Sequence, residues 1–141
     1  MARNILIASH GRLAEGLADS LSYIIGGKEK IETMCAYTDP DFNLEKEVKS
    51  ILEKYKSDGE ELVVFTDVFG GSVNNEFMKN LNQYQFHFIA NVNFPILLEI
   101  LWDQNPLTVE RITERVEKES CAPKYCNSLL IQKHYNEEDD L

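Results

Sequence analysis

Positive charge is what this sequence has too little of: 14 lysines and arginines stand against 24 aspartates and glutamates, for a formal net charge of −10. Nucleic-acid binding draws its affinity from basic side chains that displace counterions from phosphates, and the chain carries no such footprint. An anionic membrane surface would repel it for the same reason. A protein partner with a basic contact face suits it better, because opposite fields speed encounter. Also missing is any uncharged apolar stretch near the ~18 residues that a membrane span requires. The early run Ile5-Leu6-Ile7-Ala8 is too short for a signal peptide and has no small-residue cleavage site behind it, so a cytoplasmic protein with no membrane insertion is expected. Cysteine is sparse. Cys35, Cys121 and Cys126 are odd in number and form no CxxC, which reads as reduced packing thiols rather than a disulfide framework. That spacing disfavours zinc even with His134 a few residues on, and no metal or cofactor is expected.

What is present is ordinary globular material. The 141 residues are 43% hydrophobic and 27% charged, enough to bury one core without staples. Residues 1–135 read as a single domain with no internal repeat, and residues 136–141, which contain the acidic run Glu137-Glu138-Asp139-Asp140, as a solvated tail. Ile5-Leu6-Ile7-Ala8 has the continuous apolar character of a strand covered on both faces. Leu13, Leu17, Leu21, Ile24 and Ile25 recur at the spacing of one helix face, and Gly26-Gly27 ends that helix. A second strand is expected over Ile31 to Tyr37, then a turn at Thr38-Asp39-Pro40-Asp41 and a helix from Asn43 to Lys56. Glu61 to Thr66 is the strongest strand, followed by a helix from Val73 to about Leu81. Phe86 to Ala90 reads as a fourth strand, Pro95 opens a helix through Trp102, and Thr108 caps another reaching about Glu119. Ser128 to Lys133 is expected as a fifth strand. Strands alternating with helices imply an α/β fold: a doubly wound, mostly parallel sheet with helices on both faces.

In such a sheet, ligands bind beyond the carboxyl ends of the strands where strand order reverses. For the order 2-1-3-4 that crevice lies between the first and third strands. The loops there are Ser9-His10-Gly11-Arg12 and Asp67-Val68-Phe69-Gly70-Gly71-Ser72, so an imidazole and a carboxylate distant in sequence share one lip. The pair has a chemical use. A histidine that attacks phosphorus needs one bare ring nitrogen, and a carboxylate accepting the proton on the other fixes tautomer and ring direction. Asp67 can do this for His10 and offset the positive charge that spreads over the ring during transfer. Gly70-Gly71-Ser72 leads into a helix whose open N–H groups favour phosphoryl oxygens, and Ser9 is a further candidate at the same site. Taken singly, each residue is more often an ordinary loop or cap residue; the combination at one crevice is what points to phosphoryl chemistry. His87, between Phe86 and Phe88, reads as a strand residue in another environment.

At these same residues the sequence resembles the IIA component of mannose-family (mannose/fructose/sorbose type) sugar phosphotransferase systems. The segments that carry the resemblance are Ile5 to Gly11, Ala14-Glu15-Gly16-Leu17, Val64 to Ser72 and Asn91-Val92-Asn93-Phe94-Pro95 with the following Ile96 to Glu99, spread in register over about residues 3 to 120. The resemblance implies a carrier without cofactors that takes phosphoryl from the phosphocarrier protein HPr on His10 and passes it to a IIB component for sugar uptake. It implies that Asp67 hydrogen-bonds the active imidazole and that Gly71 and Ser72 lie at the phosphoryl site. It also implies a homodimer that exchanges a C-terminal antiparallel edge strand, a role that would fall to Ser128 to Lys133. The chain stops short of a linker and IIB domain, so the expected acceptor is a separate polypeptide.

Two alternatives stand beside this reading. The phosphotransferase subunit of phosphoenolpyruvate-dependent dihydroxyacetone kinase shares the fold and the Ser-His pair, but more typically has serine where Gly11 stands here. A receiver-type signalling module would use Asp67 as phosphoryl acceptor, yet it needs magnesium held by further carboxylates, and Ser9-His10-Gly11-Arg12 supplies none.

Overall fold

A run apolar at every position needs cover on both faces and a neighbour on both edges, and Ile5-Leu6-Ile7-Ala8 has all four. In the computed structural model, which describes residues 3–26 and 30–131, strand β1 (Arg3–His10) lies between β2 (Lys30–Ala36) and β3 (Glu61–Thr66), with β4 (His87–Ile89) outside β3. All three pairings are parallel, giving the order β2-β1-β3-β4. The expected α/β fold and strand order are therefore present. Ile5, Leu6, Ile7 and Ala8 are each 0% exposed, as a central parallel strand requires.

Successive residues of β1 face opposite sides, so each side of the sheet has its own core. Leu6 and Ala8 join Met34, Val64, Val48, Leu52, Val73 and Phe77 in one cluster, where helices α2 (Leu44–Asp58) and α3 (Ser72–Lys79) pack beside each other. Helices α1 (Leu13–Ile25) and α4 (Phe94–Trp102) meet as a second pair, with Leu21, Ile96, Leu97 and Ile100 buried. Large side chains such as Phe65 and Phe77 are fully buried, each stabilising the fold by about 1.5–3 kcal/mol.

The helix ends follow their local chemistry. Asn43 accepts the Lys46 N–H at 3.1 Å, Asn93 accepts the Ile96 N–H at 2.9 Å, and Gly26 and Gly59 close α1 and α2 in the left-handed conformation. Gly27 lies outside the described residues.

The chain divides into two compact units, Met1–Gln104 and Asn105–Leu141. The second contains α5 (Val109–Val116), whose Arg111 N–H is capped by Thr108 at 3.1 Å, and a 3-10 turn over Glu119–Cys121. The strand expected over Ser128 to Lys133, and with it the antiparallel edge strand, is not found among the described residues. Residues 126–131 are helical instead, and 132–133 lie outside the described residues. A short apolar run such as Leu129-Leu130-Ile131 suits either conformation, and only a helix satisfies its backbone hydrogen bonds without a neighbouring strand. These three side chains are exposed, so no burial favours the extended form. His134 and the tail at 136–141 also lie outside the described residues.

Candidate active site

Register brings the two halves of the site together. Ala8 of β1 stands opposite Thr66, the last residue of β3, while His10 is still paired with Ala36 of β2. The carboxylate one step beyond β3 therefore reaches the main chain two steps beyond Ala8. Asp67 Oδ2 accepts the His10 backbone N–H at 2.9 Å and lies 2.8 Å from His10 Nδ1. Its other oxygen accepts the Val68 N–H at 3.0 Å. The His10 side chain is 43% exposed and that of Asp67 only 11%, so the ring stands at the lip over a sheltered carboxylate.

Electrostatics follow from those contacts. Burial on its own pushes the Asp67 carboxyl upward. The donors from His10, backbone and ring, with the field of the imidazole and the carboxylate's own backbone contact, outweigh that effect and hold it below the ordinary 3.8. An ionised carboxylate only accepts hydrogen bonds, so Nδ1 carries a proton, and in the neutral imidazole Nε2 keeps its lone pair. Nε2 faces Ser72 Oγ at 3.1 Å, at the first residue of α3. The opening N–H groups of a helix have no acceptor within it and carry its positive end. The arrangement thus offers a nucleophilic nitrogen beside a seat for an anion.

The loop between Asp67 and Ser72 is shaped for close approach. Gly70 has φ +86°, and the Gly71 N–H closes a turn on the Val68 carbonyl at 3.1 Å. A Cβ on Gly71 would stand 2.8 Å from Val68 Cγ1 and 3.4 Å from His10 Cε1, so the imidazole sits against bare backbone. Thr66 Oγ1 donates to Asn74 Oδ1 at 3.0 Å in the interior, and Asn75 Nδ2 donates to the Gly70 carbonyl at 3.1 Å, tying α3 to the loop. The Asn91-Val92-Asn93 segment lies alongside: Asn91 Oδ1 accepts the Phe69 N–H at 2.7 Å, and the Val92 N–H donates to the Thr66 carbonyl at 2.9 Å.

Of the residues singled out from sequence, His10, Asp67, Gly71 and Ser72 converge, and Gly70 forms their turn. Ser9 does not join them through its side chain. It is fully buried, donating to the Gly11 carbonyl at 3.2 Å and accepting the Ala14 N–H at 2.8 Å, so its hydroxyl ties the turn to the start of α1. His87 is elsewhere, paired with Glu61 at the opposite end of β3. No three His, Cys, Asp or Glu side chains converge among the described residues. No described helix is long and apolar enough to cross a membrane.

The sequence reading named Asn91 only within a matching segment and Tyr37 only as the end of a strand, yet both stand at the lip. Asn91 holds the Phe69 N–H from a backbone at φ +58°, a region asparagine tolerates. Tyr37, one residue past β2, places its hydroxyl 2.8 Å from Ser72 Oγ and its ring centroid 5.6 Å from that of His10. Its φ of +68° costs an aromatic L-residue on the order of 1–2 kcal/mol. The strand order 2-1-3 already implied that the loop after β2 shares the lip, and that was the available signal.

A doubly wound parallel sheet with an imidazole–carboxylate pair at its switch point defines a class: small α/β domains that handle a ligand outside the strand ends. The particular family follows from comparison. Residues 4–117 match the PTS system fructose IIA component family. A Klebsiella pneumoniae protein, provisionally described as a phosphoenolpyruvate-dependent sugar phosphotransferase system permease, is 34% identical, with TM-score 0.80 over 92% of this chain and 95% of that one. The PTS IIA protein associated with the fucose utilization operon of Streptococcus pneumoniae is 25% identical, with TM-score 0.72 over 92% and 97%. The mannose/sorbose specific IIA subunit of Enterococcus faecalis, at 22% identity, shares the fold with TM-score 0.70 over 88% and 95%. The chain belongs to the mannose/fructose-type IIA components of the sugar phosphotransferase system, a family of phosphotransfer proteins.

Proposed function

We propose that this IIA component is a phosphoryl carrier that accepts the group from phospho-HPr on His10 and passes it to a IIB component, with both partners meeting it in the cytoplasm. The observation that carries this reading is the 2.8 Å contact of His10 Nδ1 with Asp67, which leaves Nε2 bare beside Ser72. In the forward step the Nε2 lone pair forms a bond to phosphorus. The bond from phosphorus to the donor's ring nitrogen breaks, and its electron pair returns to that ring. His10 gains positive charge as this happens, and Asp67, already ionised, offsets it without moving a proton. The phosphoryl oxygens fall to the Ser72 hydroxyl and to the N–H groups that follow Gly70 and Gly71 into α3. The step to IIB is the same exchange in reverse, with the acceptor nitrogen attacking. No metal or organic cofactor takes part.

The test is incubation with phosphoenolpyruvate, enzyme I and HPr. The wild type should take up an acid-labile, base-stable phosphoryl group and His10→Ala none; undiminished labelling of that variant would overturn the reading. We also read the chain as a homodimer. The exposed Leu129, Leu130 and Ile131 make the C-terminal segment the part to examine. Sedimentation should show a dimer weakened by truncation after Ala122, and a full-length monomer at micromolar concentration would refute it.

A further inference from the structure

The hydroxyl of Tyr37 has no part in the reading above, yet it is the outermost member of a continuous chain of polar contacts. Tyr37 Oη lies 2.8 Å from Ser72 Oγ, which lies 3.1 Å from His10 Nε2, whose Nδ1 lies 2.8 Å from Asp67. The direction of each bond follows from its neighbour. Asp67 only accepts, so Nδ1 donates, and in the neutral ring that a nucleophilic histidine requires Nε2 accepts. Ser72 must then give its one hydrogen to Nε2, which leaves its oxygen to accept from Tyr37. The tyrosine hydroxyl is a donor.

The placement has been imposed on the residue. Tyr37 takes a left-handed backbone that a bulky side chain rarely adopts, and its ring is braced edge-on by Phe42 at 5.6 Å while remaining 53% exposed. Burial therefore does not account for the conformation. Backbone outliers of this kind persist where surrounding contacts over-determine them, and they cluster at functional sites.

We propose that Tyr37 is a positioning residue for phosphoryl transfer at His10, acting through Ser72. By donating to Ser72 Oγ, it occupies a serine lone pair, fixes the hydroxyl rotor and polarises the Ser72 O–H. That hydrogen points at Nε2 in the resting protein. When phosphorus takes the lone pair of Nε2, the same hydrogen is released onto a phosphoryl oxygen with little reorientation, still backed by Tyr37. Without the tyrosine donor, the serine hydroxyl is free to rotate toward water, and an incoming phosphoryl group meets a donor that must first be oriented. The inference rests on His10 being the acceptor, and its test separates the two.

Tyr37→Phe removes the oxygen and keeps the ring against His10 and Phe42; Tyr23→Phe, at an 82% exposed position on α1, is the control. In unphosphorylated protein with ring-labelled histidine, nitrogen NMR should show the His10 Nε2 resonance moving toward that of an unbonded ring nitrogen in Tyr37→Phe, with Nδ1 unmoved. Stopped-flow transfer from phospho-HPr should slow by about 5- to 10-fold, the size of one ordinary hydrogen bond. In a Ser72→Ala background, Tyr37→Phe should change neither reading. An unmoved Nε2 resonance, an unchanged rate, or an equal further loss in Ser72→Ala each overturns the proposal. If His10→Ala still accepts phosphoryl, the carrier reading has failed instead, and the resonances of the resting protein report the tyrosine contact independently of it.

Discussion

Among the described residues there are two histidine–carboxylate pairs, one at each end of β3, and only one of them is built as a site. At the carboxyl end, His10 gives Nδ1 to Asp67 at 2.8 Å and keeps Nε2 at the lip beside Ser72. At the amino end, His87 Nε2 lies 3.4 Å from Glu61, the two side chains 29% and 25% exposed. There the carboxylate faces the outer ring nitrogen, the one that His10 keeps open. His10 also stands against the bare backbone of Gly71 where α3 begins, whereas His87 starts a strand. The pair of residue types is common to both ends. What differs is which nitrogen the carboxylate occupies and whether a helix start faces the other.

The largest expected contrast between the two ends comes from neutralising each carboxylate. Asp67→Asn should slow transfer from phospho-HPr by ~10²–10⁴-fold, or about 3–5 kcal/mol of barrier, by analogy with orienting carboxylates in other histidine mechanisms. Glu61→Gln should leave the rate unchanged, and the double variant His10→Ala/Asp67→Asn should be no worse than His10→Ala alone. Wild-type rates in Asp67→Asn would dissolve the distinction between the ends. The same variant has a thermal signature. Because the folded protein holds the Asp67 carboxyl below 3.8, its ionisation contributes stability that is complete above that pH and is lost as pH falls through the lowered value. The melting-temperature gap between wild type and Asp67→Asn should therefore be open at neutral pH and close below 3.8; a gap constant from pH 7 to 3 would contradict the assigned contacts.

A smaller effect compares two glycines, one in the site and one outside it. A methyl group on Gly71 would meet Val68 Cγ1 at 2.8 Å and press toward His10, while the same group on Gly16, in α1, meets nothing within 4 Å. Gly71→Ala should move the loop and slow transfer by roughly 10-fold, since small misplacements near reacting atoms cost about that much or more. Gly16→Ala should leave transfer intact and raise stability by about 0.5–1 kcal/mol, the helix preference of alanine over glycine. Equal transfer rates for the two variants would show that the close backbone approach at Gly71 is not needed.

Patterns confined to a few neighbouring residues were sufficient for much of this protein. The continuous apolar run at Ile5 to Ala8, the helix period from Leu13 to Ile25 and the cap at Thr108 all act over one or two turns of chain, so their outcome can be read without knowing the rest. Alternation of these elements implied the parallel sheet, and the switch-point rule placed His10 and Asp67 on one lip. The segment at residues 126–131 went the other way, because whether a short apolar run becomes strand or helix depends on a neighbour that the sequence does not name. Ser9 and Tyr37 mark the same boundary within the site. From sequence, the serine beside His10 was the natural candidate and Tyr37 merely the end of a strand. Alternation along β1 sends Ser9 inward to cap α1, and the crossover to β2 carries Tyr37 back over Ser72. Sequence alone determined the elements from β1 to α5 and which strand ends meet, because those follow from local periodicity and from the handedness of the fold. Which side chains touch there was decided only by register and by the direction each Cβ leaves the backbone, quantities that exist once distant strands have been paired.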